Sequence, residues 1–131
     1  MKIEKIDMPA AGTWARDCEL LCLSDHTEFK LEYHKDEDDT YWVLRCAEVV
    51  AYKVINEEFY LKGYLLALPE GAFFEILDSP WIGEFRKEKD RILDTCKHYV
   101  LLFYDETVEI IAQKFTFEQL QEKPTSFLSA T

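Results

Sequence analysis

The stretch TEFKLEYH, residues 27–34, constrains the fold more than any other. Phe29, Leu31 and Tyr33 alternate with Lys30, Glu32 and His34. A period of two is what a half-buried β-strand imposes and a helix does not. The flanking segments continue the pattern. If SDHT (24–27) is a four-residue connection, Cys22 faces Phe29, Leu20 faces Leu31, Cys18 faces Tyr33 and Asp17 faces His34. If the acidic DEDD (36–39) is another, Tyr33 faces Trp42, Leu31 faces Leu44 and Phe29 faces Cys46. Both connections give one apolar face, and a one-residue slip would mix the two faces. A three-stranded antiparallel meander is therefore predicted. Cys22, Phe29 and Cys46 would share a row, with the sulfurs about 9 to 10 Å apart, too far for a disulfide.

The third strand runs on through YWVLRCAEVVAYKVI (41–55), where Glu48 alone breaks the alternation. A bulge near Ala47 that turns Glu48 outward is less costly than a buried, unpaired carboxylate. After LPEG comes a short strand, AFFEILD, and then DSPW, with Ser79 as N-cap and Pro80 at the first helical position. Trp81, Ile82, Phe85, Ile92, Leu93 and Cys96 mark an apolar helix face, interrupted by the polar RKEKD. Residues 97–115 return to strand as a hairpin with a loop at 104–107. Phe103 then faces Val108, Leu101 faces Ile110 and Tyr99 faces Ala112 on the core side. His98, Val100 and Leu102 share the other side with Thr107, Glu109, Ile111 and Gln113. The expected fold is α+β: a mainly antiparallel, twisted sheet or partial barrel of six to seven strands with one principal helix, about 79–94. One domain is expected over 1–131, with the tail 121–131 partly disordered.

Fifteen basic side chains against 26 acidic ones leave a formal net charge of −11. Such a field repels phosphate backbones and anionic lipid, and draws in basic partners. No apolar run reaches the roughly 18 to 20 residues of a membrane span, and the N-terminal stretch lacks a signal-peptide core. A cytoplasmic protein that binds neither nucleic acid nor membrane is expected. The four cysteines fit no zinc spacing and read as free thiols. Three histidines on separate elements, an acidic loop without the glycine and distal glutamate of a calcium loop, and scattered glycines give no metal or cofactor signature.

The hairpin register places His98 opposite Gln113 and puts Glu109 about four residues along the strand, out of hydrogen-bond reach. A Cys96/His98 pair is geometrically conceivable but lacks an orienting third group. A non-enzymatic protein is expected, with candidate binding residues Asp36, Glu37, Asp38 and Asp39 at the hairpin tip and His98 and Glu109 on the second hairpin. An acidic block is commonly just a solvated turn. Against that, the mutual repulsion at such a tip would be relieved by a basic partner. A small-molecule site among Trp42, Tyr52, Trp81 and Tyr99 is the alternative.

Three segments, YWVLRCAEVVAYKV, FFEILDSPWI and KHYVLLFYDETVEIIA, resemble a group of small, uncharacterised bacterial proteins in which a Ser-x-Trp/Tyr-Ile/Leu helix start precedes a His-Tyr strand. The resemblance covers about 41–112. It implies a bacterial, cytosolic source and carries no established activity with it. Several such domains look like immunity proteins, small acidic partners that neutralise a basic toxin domain.

Overall fold

The computed structural model describes residues 2–56, 68–85 and 91–124. They form a seven-stranded antiparallel sheet: β1 (Ile3–Lys5), β2 (Cys18–Ser24), β3 (Phe29–Lys35), β4 (Thr40–Asn56), β5 (Phe73–Ile76), β6 (Lys97–Leu102) and β7 (Glu106–Leu120). The spatial order is β1-β5-β6-β7-β4-β3-β2. The sheet is open, with β1 and β2 at its edges. The backbone amide of Tyr104 nevertheless donates to Cys18 O at 2.8 Å, drawing the β6–β7 turn onto the start of β2. The sheet thus curls over one face without closing.

Helix is scarce among the described residues. A short helix, α1 (Pro80–Phe85), follows β5, and a 3-10 turn covers Arg91–Asp94. Ser79 caps α1 as its sequence suggests, its hydroxyl accepting from Ile82 N at 3.1 Å. The helix expected over 79–94 thus starts where its sequence suggests, but 91–94 is a 3-10 turn, while 86–90 lies outside the described residues. Among the described residues the chain is mostly β rather than α+β. The part of the predicted tail at 125–131 also lies outside them.

The β3–β4 hairpin has the predicted register, with Phe29 opposite Cys46, Leu31 opposite Leu44 and Tyr33 opposite Trp42. The β2–β3 register does not. Leu20 faces Tyr33, Cys18 faces Lys35, and a bulge before Cys22 puts that residue opposite Glu32. The connection is longer than four residues because Ser24 already pairs with Lys30. The bulge then restores parity, so that Leu20 still reaches the core, and Leu23, opposite Leu31, now joins it in place of Cys22. The predicted row of Cys22, Phe29 and Cys46 is therefore reduced to Phe29 and Cys46. All four cysteines are free.

In β4 the predicted irregularity is present. Glu48 is exposed in a left-handed conformation (φ 54°), and the register against β7 slips between Val49 and Ala51. The 17-residue strand can then follow β7 along almost its whole length, from Tyr41 opposite Leu120 to Asn56 opposite Glu106. This ribbon divides the molecule into two packed faces. On the first, Phe73 touches the rings of Tyr33 and Phe103 edge-on at 5.6 Å, and Leu31, Leu44, Leu101, Val108 and Ile110 fill in around them. The buried Tyr33 hydroxyl donates to Ala10 O at 2.6 Å, so no polar group is stranded there. The second face is smaller: Ile82, Leu93 and Ile111 pack with Val50, Trp81, Phe85 and Cys96.

Candidate functional site

Two polar constellations stand out. The first is the acidic hairpin joining β3 and β4. Its backbone is fixed by Asp17, which is 1% exposed. One Asp17 carboxylate oxygen accepts from Glu37 N and the other from Thr13 N, each at 3.0 Å, while Asp17 O accepts from Asp36 N at 2.9 Å. Asp17 therefore does not face His34, as the sequence suggested; Glu19 does. His34 turns to its own hairpin instead, with Nδ1 2.9 Å from Asp36 and Nε2 2.6 Å from Asp39. Lys35, buried along its stem, donates to Pro9 O at 3.0 Å and lies 3.8 Å from Glu37 and 3.6 Å from Asp38. Thr13 Oγ1 donates to Glu37, and Thr40 Oγ1 to Asp38 at 2.5 Å. The Thr40 hydroxyl, and then Lys35, hold Asp38 below the usual carboxylate range.

Each of the four carboxylates thus has a partner within the chain, and the repulsion argument made from sequence is largely answered internally. What remains is a preorganised acidic tip whose side chains still face water, Asp39 most of all at 85% exposure. The tip borders a cleft of about 530 Å³, lined in part by Lys5, Asp7, Pro9, Lys35, Glu37 and Asp38.

The second constellation crosses the second face. The sequence placed His98 and Glu109 on one side of the hairpin but out of reach, and the structure corrects the distance. The β6–β7 turn is tighter than expected: Phe103 N donates to Glu106 O at 2.9 Å, leaving only Tyr104 and Asp105 between them. Glu106 and Thr107 belong to β7 because β4 already pairs with them. The register therefore shifts by two, which preserves the faces. His98 lies opposite Ile111 and Val100 opposite Glu109. Glu109 becomes the diagonal neighbour of His98, within reach of a long side chain.

His98 Nε2 lies 2.7 Å from Glu109 Oε1, and His98 Nδ1 lies 2.7 Å from Ser79 Oγ. Lys53, directly opposite Glu109 on β4, brings Nζ to 3.5 Å of Oε2. His98 and Glu109 are both fully buried, whereas Lys53 reaches solvent. Trp81 closes the group, meeting the imidazole edge-on at 5.3 Å while Lys53 Nζ sits 4.4 Å over the indole. The partners fix the proton positions. Glu109 as carboxylate can only accept, so Nε2 carries the hydrogen and Nδ1 accepts from the Ser79 hydroxyl.

Burial, and then the charge of Lys53, push His98 down to about 4. Burial also raises Glu109 above the usual carboxylate range, against the pull of Lys53. An unfolded histidine takes up its proton near 6.5, so between there and about 4 only the unfolded chain is protonated at this site. Stability from His98 is thus complete above about 6.5 and falls as the pH drops through that window, by at most about 3 kcal/mol. Glu109 works in the opposite sense, since protonation of the folded state is favoured first. The His98 slope should therefore be clearest in the upper part of the window. Urea midpoints measured from pH 7 to pH 5 should fall more steeply for wild type than for His98→Gln. Parallel slopes would contradict this protonation scheme.

Sequence reasoning found His98 and Glu109 but missed the rest of the chain. Ser79 was read only as a cap and Trp81 only as an apolar face residue and ligand-site aromatic, while Lys53 carried no local signal. The Cys96/His98 pair that the sequence left conceivable gives way to this arrangement, since both His98 nitrogens are engaged by Ser79 and Glu109. Nor do the four aromatics proposed for a ligand site converge. Trp81 lies on the second face, Tyr99 stacks on Phe115 at 3.8 Å, Tyr52 meets Phe29 at 4.8 Å, and Trp42 Nε1 donates to Thr40. Among the described residues no cluster of three His, Cys, Asp or Glu side chains is arranged to hold a metal ion, and no helix is long and apolar enough to cross a membrane. Burial raises the thiols of Cys18 and Cys46 to about 12, so neither is a ready nucleophile. Comparison with protein-family models, curated proteins and solved structures finds no match to this chain.

Proposed function

We propose that the protein is an acidic binding domain for a basic protein segment, and that the β3–β4 tip with its adjoining cleft is the contact surface. The observation that carries this reading is the anchoring of Asp36, Glu37 and Asp38 by the buried Asp17 and Lys35, with Asp39 held by His34. A fixed loop loses little conformational entropy on binding, and carboxylates held in place at a solvent-facing tip steer cations toward the cleft. The whole-molecule charge of −11 acts in the same direction. A basic toxin domain is the partner class that fits such a surface, in the manner of an immunity protein in a bacterial cytoplasm.

The test compares two fourfold variants. One replaces Asp36, Asp38 and Asp39 by Asn and Glu37 by Gln. The other replaces the exposed Glu19, Glu48, Glu70 and Glu84 by Gln, removing the same charge elsewhere. With a lysine- and arginine-rich peptide as probe at low salt, the tip variant should associate several-fold more slowly than the control variant. The difference should vanish near 0.5 M salt, where the screening length is only about 4 Å. Equal rates for the two variants would reduce the tip to a solvated turn.

A further inference from the structure

The second constellation carries a different activity, on residues that the acidic tip does not share. We propose that Ser79 is a nucleophile toward small acyl esters, with His98 as its general base and Glu109 as the group that orients the imidazole. A serine triad is recognised by geometry and roles rather than by position in the sequence. Hydroxyl, imidazole and carboxylate stand here in the required order, at 2.7 Å and 2.7 Å. The tautomer is the productive one, because the Nε2–H bond to Glu109 leaves the Nδ1 lone pair facing the Ser79 hydroxyl. Lys53 beside Glu109 favours the ionised carboxylate, and Trp81 packs on the imidazole.

Access is one-sided, as a hydrolytic site requires. His98 and Glu109 are sealed, but Ser79 is half-buried and borders a cleft of about 210 Å³. Leu77, Ile82 and Cys96 give that cleft its apolar part, and Gly83 leaves open space beside it. Its volume suits a short acyl chain rather than a peptide. Glu75 and Asp78 outnumber Lys97 along its lining, which disfavours anionic acyl groups and points to neutral or cationic esters.

The chemistry balances without any further reagent than water. Ser79 Oγ bonds to the carbonyl carbon as its proton passes to His98 Nδ1. Collapse breaks the bond from that carbon to the ester oxygen, and the departing alcohol takes the proton from Nδ1. Water then repeats the sequence on the acyl-serine, releasing the carboxylic acid and restoring the hydroxyl. This reading sets aside the sequence expectation of a non-enzymatic protein, and it stands or falls separately from the binding test.

The probe is an alkyl fluorophosphonate, which phosphonylates an activated serine with loss of fluoride. Wild type should be labelled at Ser79, located by peptide mass analysis, and should hydrolyse 4-nitrophenyl acetate. Ser79→Ala removes the hydroxyl but also the helix cap, so Ser79→Asn serves beside it: Asn caps well and cannot be acylated in this way. The Asn variant should melt close to wild type, with both labelling and hydrolysis reduced at least tenfold. Labelling that is absent from Ser79 in wild type, or hydrolysis unchanged in Ser79→Asn, would overturn the proposal and leave Ser79 as a cap alone.

Discussion

Glu109→Ala is expected to lower the unfolding free energy by about 3 to 5 kcal/mol, the cost of removing one partner from a buried charged network. The carboxylate is fully buried, bonded to His98 on one oxygen and paired with Lys53 on the other. Its loss removes the acceptor 2.7 Å from His98 Nε2 and opens a void between β4 and β6. Glu109→Gln keeps an acceptor of the same shape and should cost less than half as much. Lys53→Ala should be milder still, since Lys53 is partly solvated and the carboxylate keeps its bond to His98. Chemical denaturation of the three variants gives the ranking. Equal losses for Ala and Gln would mean that the negative charge, which both remove, and not packing or the hydrogen bond, sets the energy at this position.

Phe73→Ala is the second large effect, expected at about 3 to 5 kcal/mol from lost transfer energy plus a cavity. Phe73 is completely buried, and its ring meets Tyr33, Phe103 and Phe117 from three other strands or turns. Little can collapse into the space it leaves. Phe29→Ala should fall at or below the lower end of that range. Phe29 lies at the rim, against Tyr52, which is 38% exposed and can move inward. Thermal or urea unfolding of both variants tests the order. A Phe29 variant less stable than the Phe73 variant would place the centre of the core elsewhere.

Face membership was legible in the sequence because the side-chain period of two survives any error in loop length that is a multiple of two. His98 and Glu109 were correctly put on one side for that reason, and Leu20, Leu31 and Tyr33 on the other. Register was legible only where the loop length was right. The 36–39 turn obeyed, since Lys35 pairs with Thr40 and Asp17 pins the loop between. The 24–27 turn did not, because a bulge lets β2 lengthen its loop and still present Leu20 and Leu23 inward. The β6–β7 turn was misjudged by two residues because its length depends on β4. Pairing of Asn56 with Glu106 recruits Glu106 into the strand, a long-range contact invisible in a local window. The same blindness hid the Ser79–His98 bond: Ser79 has a local reason to be serine, and nothing local indicates a second partner for its hydroxyl. The predicted helix overran at 91–94 for a simpler reason, since Ile92 and Leu93 fall at helical spacing from Trp81, Ile82 and Phe85.

The central claim is that the two-residue β6–β7 turn joins His98 to Glu109, and that Ser79 before α1 and Lys53 on β4 complete one polar chain with a defined proton order. Nitrogen-15 NMR of the His98 ring at pH 6 to 7 tests it most directly. The account predicts a neutral imidazole with its hydrogen on Nε2, slowed in exchange by burial, and an unprotonated Nδ1 accepting from Ser79. A hydrogen on Nδ1 with Nε2 bare, or a doubly protonated ring at that pH, would contradict it.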